Sequence, residues 1–162
     1  MRCAYFAVFT ILVVPTARAQ VPDAIAAPGQ TVVAHYHAEG AQIYECKPDG
    51  AGKLIWQFRE PIATLMADGQ TIGRHYAGPS WELADGNAVT GKASANAAGA
   101  TSSDIPWLRL DVLVHRGTGR LDSVSTVQRI ETKGGVAPAT CTTVATFLDV
   151  PYSAEYVFLR RP

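Results

Sequence analysis

The chain has 162 residues, with 14 Lys and Arg set against 14 Asp and Glu, and 48% hydrophobic but only 17% charged positions. Balanced charge with no basic run or stripe excludes nucleic acid as the expected partner. The length suits one domain with a real core, and sparse charge beside plentiful Ala, Gly, Thr, Val and Pro is the balance of an exported β protein with tight turns.

In chain order, Met1-Arg2, an apolar run over 4–14, Pro15 and Ala17-Arg18-Ala19 form the three regions of a signal peptide, predicted to span 1–19. The apolar run is too short for a spanning helix, which needs roughly 20 residues. Residues 20–162 are therefore expected as a single secreted or periplasmic domain with no membrane span after cleavage. Two cysteines remain, Cys46 and Cys141. An even count, an oxidising destination and no C-x-x-C spacing predict that they pair as a structural disulfide.

Residues 20–30 read as an extended, Pro-punctuated lead-in. Alternation over 31–37 predicts a strand with Val32, Ala34 and Tyr36 on one face and Val33, His35 and His37 on the other. A turn at Glu39-Gly40 and a strand over 41–46 complete an expected hairpin. The next strand, 53–60, places Leu54, Trp56 and Phe58 on one face. Residues 61–68 fit either a single helical turn or a strand. The stretch GRHYAGPSWELADG, 73–86, then concentrates large amphipathic rings between tight turns. A weak strand over 87–93 leads to a small, polar surface loop expected over 94–103.

Residues 105–115 give the clearest alternation, with Leu108, Leu110, Val112 and Val114 on one face. With Gly117-Thr118-Gly119 and the strand over 121–132, they predict a hairpin. Strands over 141–148 and 156–160 finish the chain. No helical period or repeat appears. The expected fold is all-β: a single-domain antiparallel β-sandwich or barrel with at most one short helical turn. Its core is expected to include Trp56, Phe58, the Leu108–Val114 face and Ile130.

The succession of Gln42, Tyr44 and Cys46; His75, Tyr76, Gly78, Pro79 and Trp81; Pro106 and Trp107; Gly134, Gly135 and Cys141; and Pro151, Tyr152 and Tyr156 resembles the family of secreted bacterial and fungal proteins known as domain of unknown function 3455. The resemblance covers nearly the whole chain after the leader. It implies the same exported, disulfide-bonded architecture and supplies no mechanism. Some fungal relatives carry a dehydrogenase label, but this chain has no Gly-rich strand-to-helix fingerprint for a nicotinamide cofactor.

Three constellations carry chemistry. Tyr76, Trp81 and Trp107 form a candidate aromatic platform with His75, Glu82 and Asp85 as its polar rim; flat rings stack on sugars or small cyclic ligands while rim groups bond hydroxyls. His35 and His37, two apart on one strand face, offer paired imidazoles to copper or zinc, with His75 or His115 to complete a set of three. Glu60, Glu82, Asp85 and Asp111 supply carboxylates for glycoside hydrolysis, which needs two acids at a defined separation. The leading expectation is a non-catalytic module without a cofactor, binding a small molecule or polysaccharide near 75–81. The alternatives are a metal-binding protein or metal-dependent enzyme using His35, His37 and His75, and a structural envelope protein.

Overall fold

The computed structural model describes residues 20–162; the expected leader over 1–19 lies outside the described residues. Eight strands follow one another around a closed antiparallel barrel: β1 Thr31–Pro48, β2 Leu54–Ala67, β3 Gln70–Tyr76, β4 Ser80–Leu83, β5 Ala88–Ala97, β6 Trp107–Arg116, β7 Thr126–Gly134 and β8 Phe147–Arg160. β8 closes the barrel along almost all of β1, from Thr31↔Arg160 to Glu45↔Phe147. The barrel form of the all-β expectation is therefore the one adopted, with a single 3-10 turn, Asp23–Ile25, as the helical element among the described residues. Among the described residues no helix is long and apolar enough to cross a membrane.

Alternation fills the interior. Ala34, Tyr36 and Ala38 from β1, Ala63 and Leu65 from β2, Leu110 from β6, Val127 from β7 and Tyr152, Ala154, Tyr156 and Phe158 from β8 make one buried cluster. One end of the barrel is plugged by the loop over 117–125. Leu121 and Val124 enter the core, and the buried Asn87 fastens the loop by accepting from the Leu121 amide at 2.6 Å and donating to Asp122 at 2.9 Å. The lead-in packs on the outside of the wall, where Ile25 joins Trp107 and Ile130 in a second apolar cluster. Gln128 Nε2 donates to the Ile25 carbonyl at 2.7 Å, and Arg109 donates to that of Ala26 at 3.1 Å.

The strand expected over 121–132 begins only at Thr126 and runs to Gly134, and the predicted boundaries change at four further places. The expected hairpin turn at Glu39-Gly40 is absent, and β1 runs straight through it. Gly40 serves close packing: a Cβ there would overlap the Ile62 carbonyl and Ala63 on β2. Residues 61–67 belong to β2, and 94–97 extend β5 past a bulge between Ala93 and Ala95. Cys141 sits in the loop before β8, which is a single strand through Pro151.

The core expectation is met at Leu110 and partly at Leu108 and Val112, which pack against the interior cluster. Val114 is 56% exposed because β6 pairs with β7 only from Leu108 to Asp111, so its far end overhangs the barrel. Phe58 is 54% exposed because it stands at the open mouth, and Trp56 is half-buried. Ile130 is buried, but in the outer cluster under the lead-in.

Candidate functional site

Opposite the plugged end, the barrel opens beside the three-residue turn between β3 and β4, whose Gly78–Pro79 peptide is cis. β4 has only four residues, so the wall is low there and leaves a cavity of about 320 Å³. That lies within the range of small-ligand sites, roughly 300–1,000 Å³. Phe58 and Arg59 stand at its mouth, Leu108 and Leu110 supply apolar wall, His75, Trp81 and Tyr156 line its depth, and the half-buried Arg129 flanks them.

The deep wall is a stack of rings. His75 and Trp81 are directly opposed across β3 and β4 and lie nearly parallel, with centroids 4.7 Å apart and an interplanar angle of 13°. Tyr156 leans on both, at 4.9 Å from His75 and 5.4 Å from Trp81, and Phe158 meets Trp81 edge-on behind them. Such offset and edge contacts suit the quadrupoles of the rings and fix their orientation. His75 is 2% exposed and Trp81 1%. His75 Nδ1 lies 2.8 Å from the Ser80 carbonyl, which only accepts, so Nδ1 carries the proton and Nε2 the lone pair. Burial pushes the His75 pKa down to about 3; the Ser80 carbonyl opposes the shift and the Arg129 charge adds to it. The imidazole is therefore neutral at physiological pH. Burial likewise raises the pKa of Tyr156, whose hydroxyl lies 3.3 Å from that of Tyr152, so both phenols keep their protons.

The expected platform is divided by the wall. Neighbouring residues on a strand point to opposite faces, so His75 and Trp81 point inward while Tyr76 and Glu82 point out. Outside, the Tyr76 hydroxyl donates to Glu82 at 2.8 Å, and Arg116 and Arg74 reach the same carboxylate at 2.6 and 3.1 Å. The Tyr76 bond, with help from both guanidiniums, holds Glu82 below the ordinary carboxylate range. Asp85 lies at the far end of β4, where its carboxylate accepts from the Asn87 amide at 2.9 Å in the turn to β5. Trp107 is packed under the lead-in. Of the six predicted binding residues, only His75 and Trp81 belong to the cavity. Among the described residues none lining it is a carboxylate, so these supply no acid pair for glycoside hydrolysis in the cavity.

The three histidines proposed for a metal are split in the same way. His35 and His37 face outward on β1, where Glu155 of β8 takes His35 Nε2 at 2.8 Å and His37 Nδ1 at 2.7 Å. His75 is inside the barrel and does not join them. Among the described residues no group of three or more His, Cys, Asp or Glu side chains is arranged to hold a metal ion. Burial lowers the His37 pKa, but hydrogen bonds to Glu155 and Glu39 outweigh it and the net shift is upward.

Phe58, Arg59, Arg129 and Tyr156 escaped the sequence reading as site residues. Arg129 gave no signal, because the sequence expectation placed the Ile130 face of this strand inside, whereas the barrel encloses the face of Val127 and Arg129. Phe58 and Arg59 carried none, because both reach the mouth through a register shift. β2 takes an extra residue where Ile43↔Glu60 is followed by Tyr44↔Phe58.

The Cys46–Cys141 disulfide is present and ties the loop before β8 to β1. The loop is also held by backbone bonds from Cys46 to Thr146 and from Ala145 to Cys46, at 2.9 and 3.0 Å. No curated protein and no solved structure matches the chain. A family model described as "Protein of unknown function (DUF3455)" matches residues 27–160, which takes in all eight strands, the cavity and both cysteines. The chain belongs to that family.

Proposed function

We propose that the protein is an exported, non-catalytic binding module whose barrel cavity takes a small cyclic ligand. The observation that carries this reading is the open cavity walled by the His75–Trp81–Tyr156 stack, with the half-exposed Phe58 ring at its mouth. A wall of rings fixed on strands, with one exposed ring at the entrance, suits recognition of a flat or ring-shaped body. The cavity also favours binding over a purely structural envelope role, in which a buried Trp81 would adjoin none. Export is supported by the disulfide and by the leader read over 1–19. The outer wall around His35, His37, Glu39, Arg74, Glu82 and Glu155 suits water, since a lipid-facing barrel presents an apolar band.

Thermal-shift measurements against a panel of monocyclic and bicyclic compounds and simple sugars test the proposal, because a ligand selective for the native state raises its melting temperature. Phe58→Ala is expected to cost about 1 kcal/mol or less of stability and to reduce the ligand-induced shift. Trp81→Ala is expected to cost about 3–5 kcal/mol, because it empties a fully buried wall position. If no cyclic compound stabilises the wild type, or if Phe58→Ala leaves every ligand-induced shift unchanged, the reading is wrong.

A further inference from the structure

Building on the cavity's reading as a ligand site, we infer that it selects organic anions: a small ring bearing a carboxylate, with Arg129 as the anion's partner and Arg59 as a second cation at the mouth. Arg129 projects into the barrel from β7, and its guanidinium is oriented by the Pro106 carbonyl, which accepts from Nε at 3.2 Å and Nη2 at 2.8 Å. Among the described residues no carboxylate pairs with Arg129, and none lines the cavity. Its charge acts on His75, Tyr152 and Tyr156 from within the barrel.

A guanidinium without a counter-ion, set in an apolar cup, is a strong partner for a carboxylate, since charge-assisted bonds strengthen as water is excluded. Arg59 differs: Glu60 takes its Nε at 3.1 Å, and its guanidinium lies 5.0 Å over the Phe147 ring. It adds positive potential at the entrance, where an anion passes first. His75 supplies no competing positive charge, because it is neutral and its only proton is committed to Ser80. A site with a cation and no acid fits an anionic ligand. The apolar remainder of the lining fits its ring.

The test uses matched pairs in which only the charge changes: benzoate against benzamide and indole-3-carboxylate against indole-3-carboxamide, titrated calorimetrically into the disulfide-bonded protein at pH 7. Each carboxylate is expected to bind at least about tenfold more tightly than its amide, as hydrogen bonds to charged groups imply. Arg129→Gln should erase that preference while leaving amide binding in place, and Arg129→Lys should keep part of it. Circular dichroism and melting temperature establish that each variant is folded. Equal affinity for acid and amide in the wild type overturns the anion assignment while the binding-module reading stands. Retention of the full preference in a folded Arg129→Gln protein overturns the role of Arg129. Failure of both members of every pair, together with all neutral rings and sugars, overturns the binding-module reading and this inference with it.

Discussion

His75 makes the stability of this barrel pH-dependent in a way that can be isolated. Its native pKa is about 3 against an ordinary value of 6.5, chiefly because burial removes the imidazolium from water. Between those two values the unfolded chain binds a proton at this position and the native protein does not, so unfolding becomes easier as pH falls. Each pH unit below 6.5 removes about 1.4 kcal/mol, or about 2 kcal/mol by pH 5. That window lies above the range where Glu82 and Asp104, whose pKa values are lowered in the fold, begin to lose their own contributions. His37 works in the opposite direction: its raised pKa gives stability that is fully present below 6.5 and is lost as pH rises through the native value. Urea unfolding of wild type and His75→Gln at pH 7 and pH 5, followed by far-UV circular dichroism, measures the difference. Gln retains an N–H donor for the Ser80 carbonyl and does not titrate. The wild type should lose about 2 kcal/mol more than the variant between the two pH values. Equal losses would refute the assignment of a buried, neutral imidazole.

Two further predictions concern the frame around the cavity. Reducing the Cys46–Cys141 disulfide, which joins positions 95 residues apart, should cost up to about 4–5 kcal/mol in the chain-entropy model; an unchanged urea midpoint with and without reductant would contradict this. Gly40→Ala should destabilise by about 1–3 kcal/mol, because the added methyl meets backbone atoms of Ile62 and Ala63 that a rotamer change cannot move; a melting temperature equal to wild type would show that β1 and β2 separate easily there.

The outer cluster of Tyr76, Glu82, Arg74 and Arg116 explains why the 73–86 stretch looks so rich as a sequence. Both faces of one short hairpin carry large functional side chains, and each face has its own task. The inner pair, His75 and Trp81, walls the cavity, while the outer set ties β3, β4 and β6 together through one carboxylate. The site takes two of the six residues that attract attention, and others that do not.

Short-range chemistry made much of this protein legible from its residues. Period-2 alternation and turn-forming Gly, Pro and Asp gave the all-β class and the antiparallel pairing of β6 with β7, though not the long loop between them, and the two cysteines beyond the expected leader gave the disulfide, because each depends on neighbours in sequence or on composition. Barrel closure depends on the pairing of β1 with β8, strands more than 100 positions apart, and no local pattern encodes that register. Alternation separated two faces without saying which one is enclosed. Only closure turned His75, Trp81 and Arg129 inward, left His35 and His37 outside and brought Phe58 to the mouth. Gly40 is the clearest case: its residue type suggests a turn locally, but the approach of β2 makes it the residue that lets an 18-residue strand pass without a break.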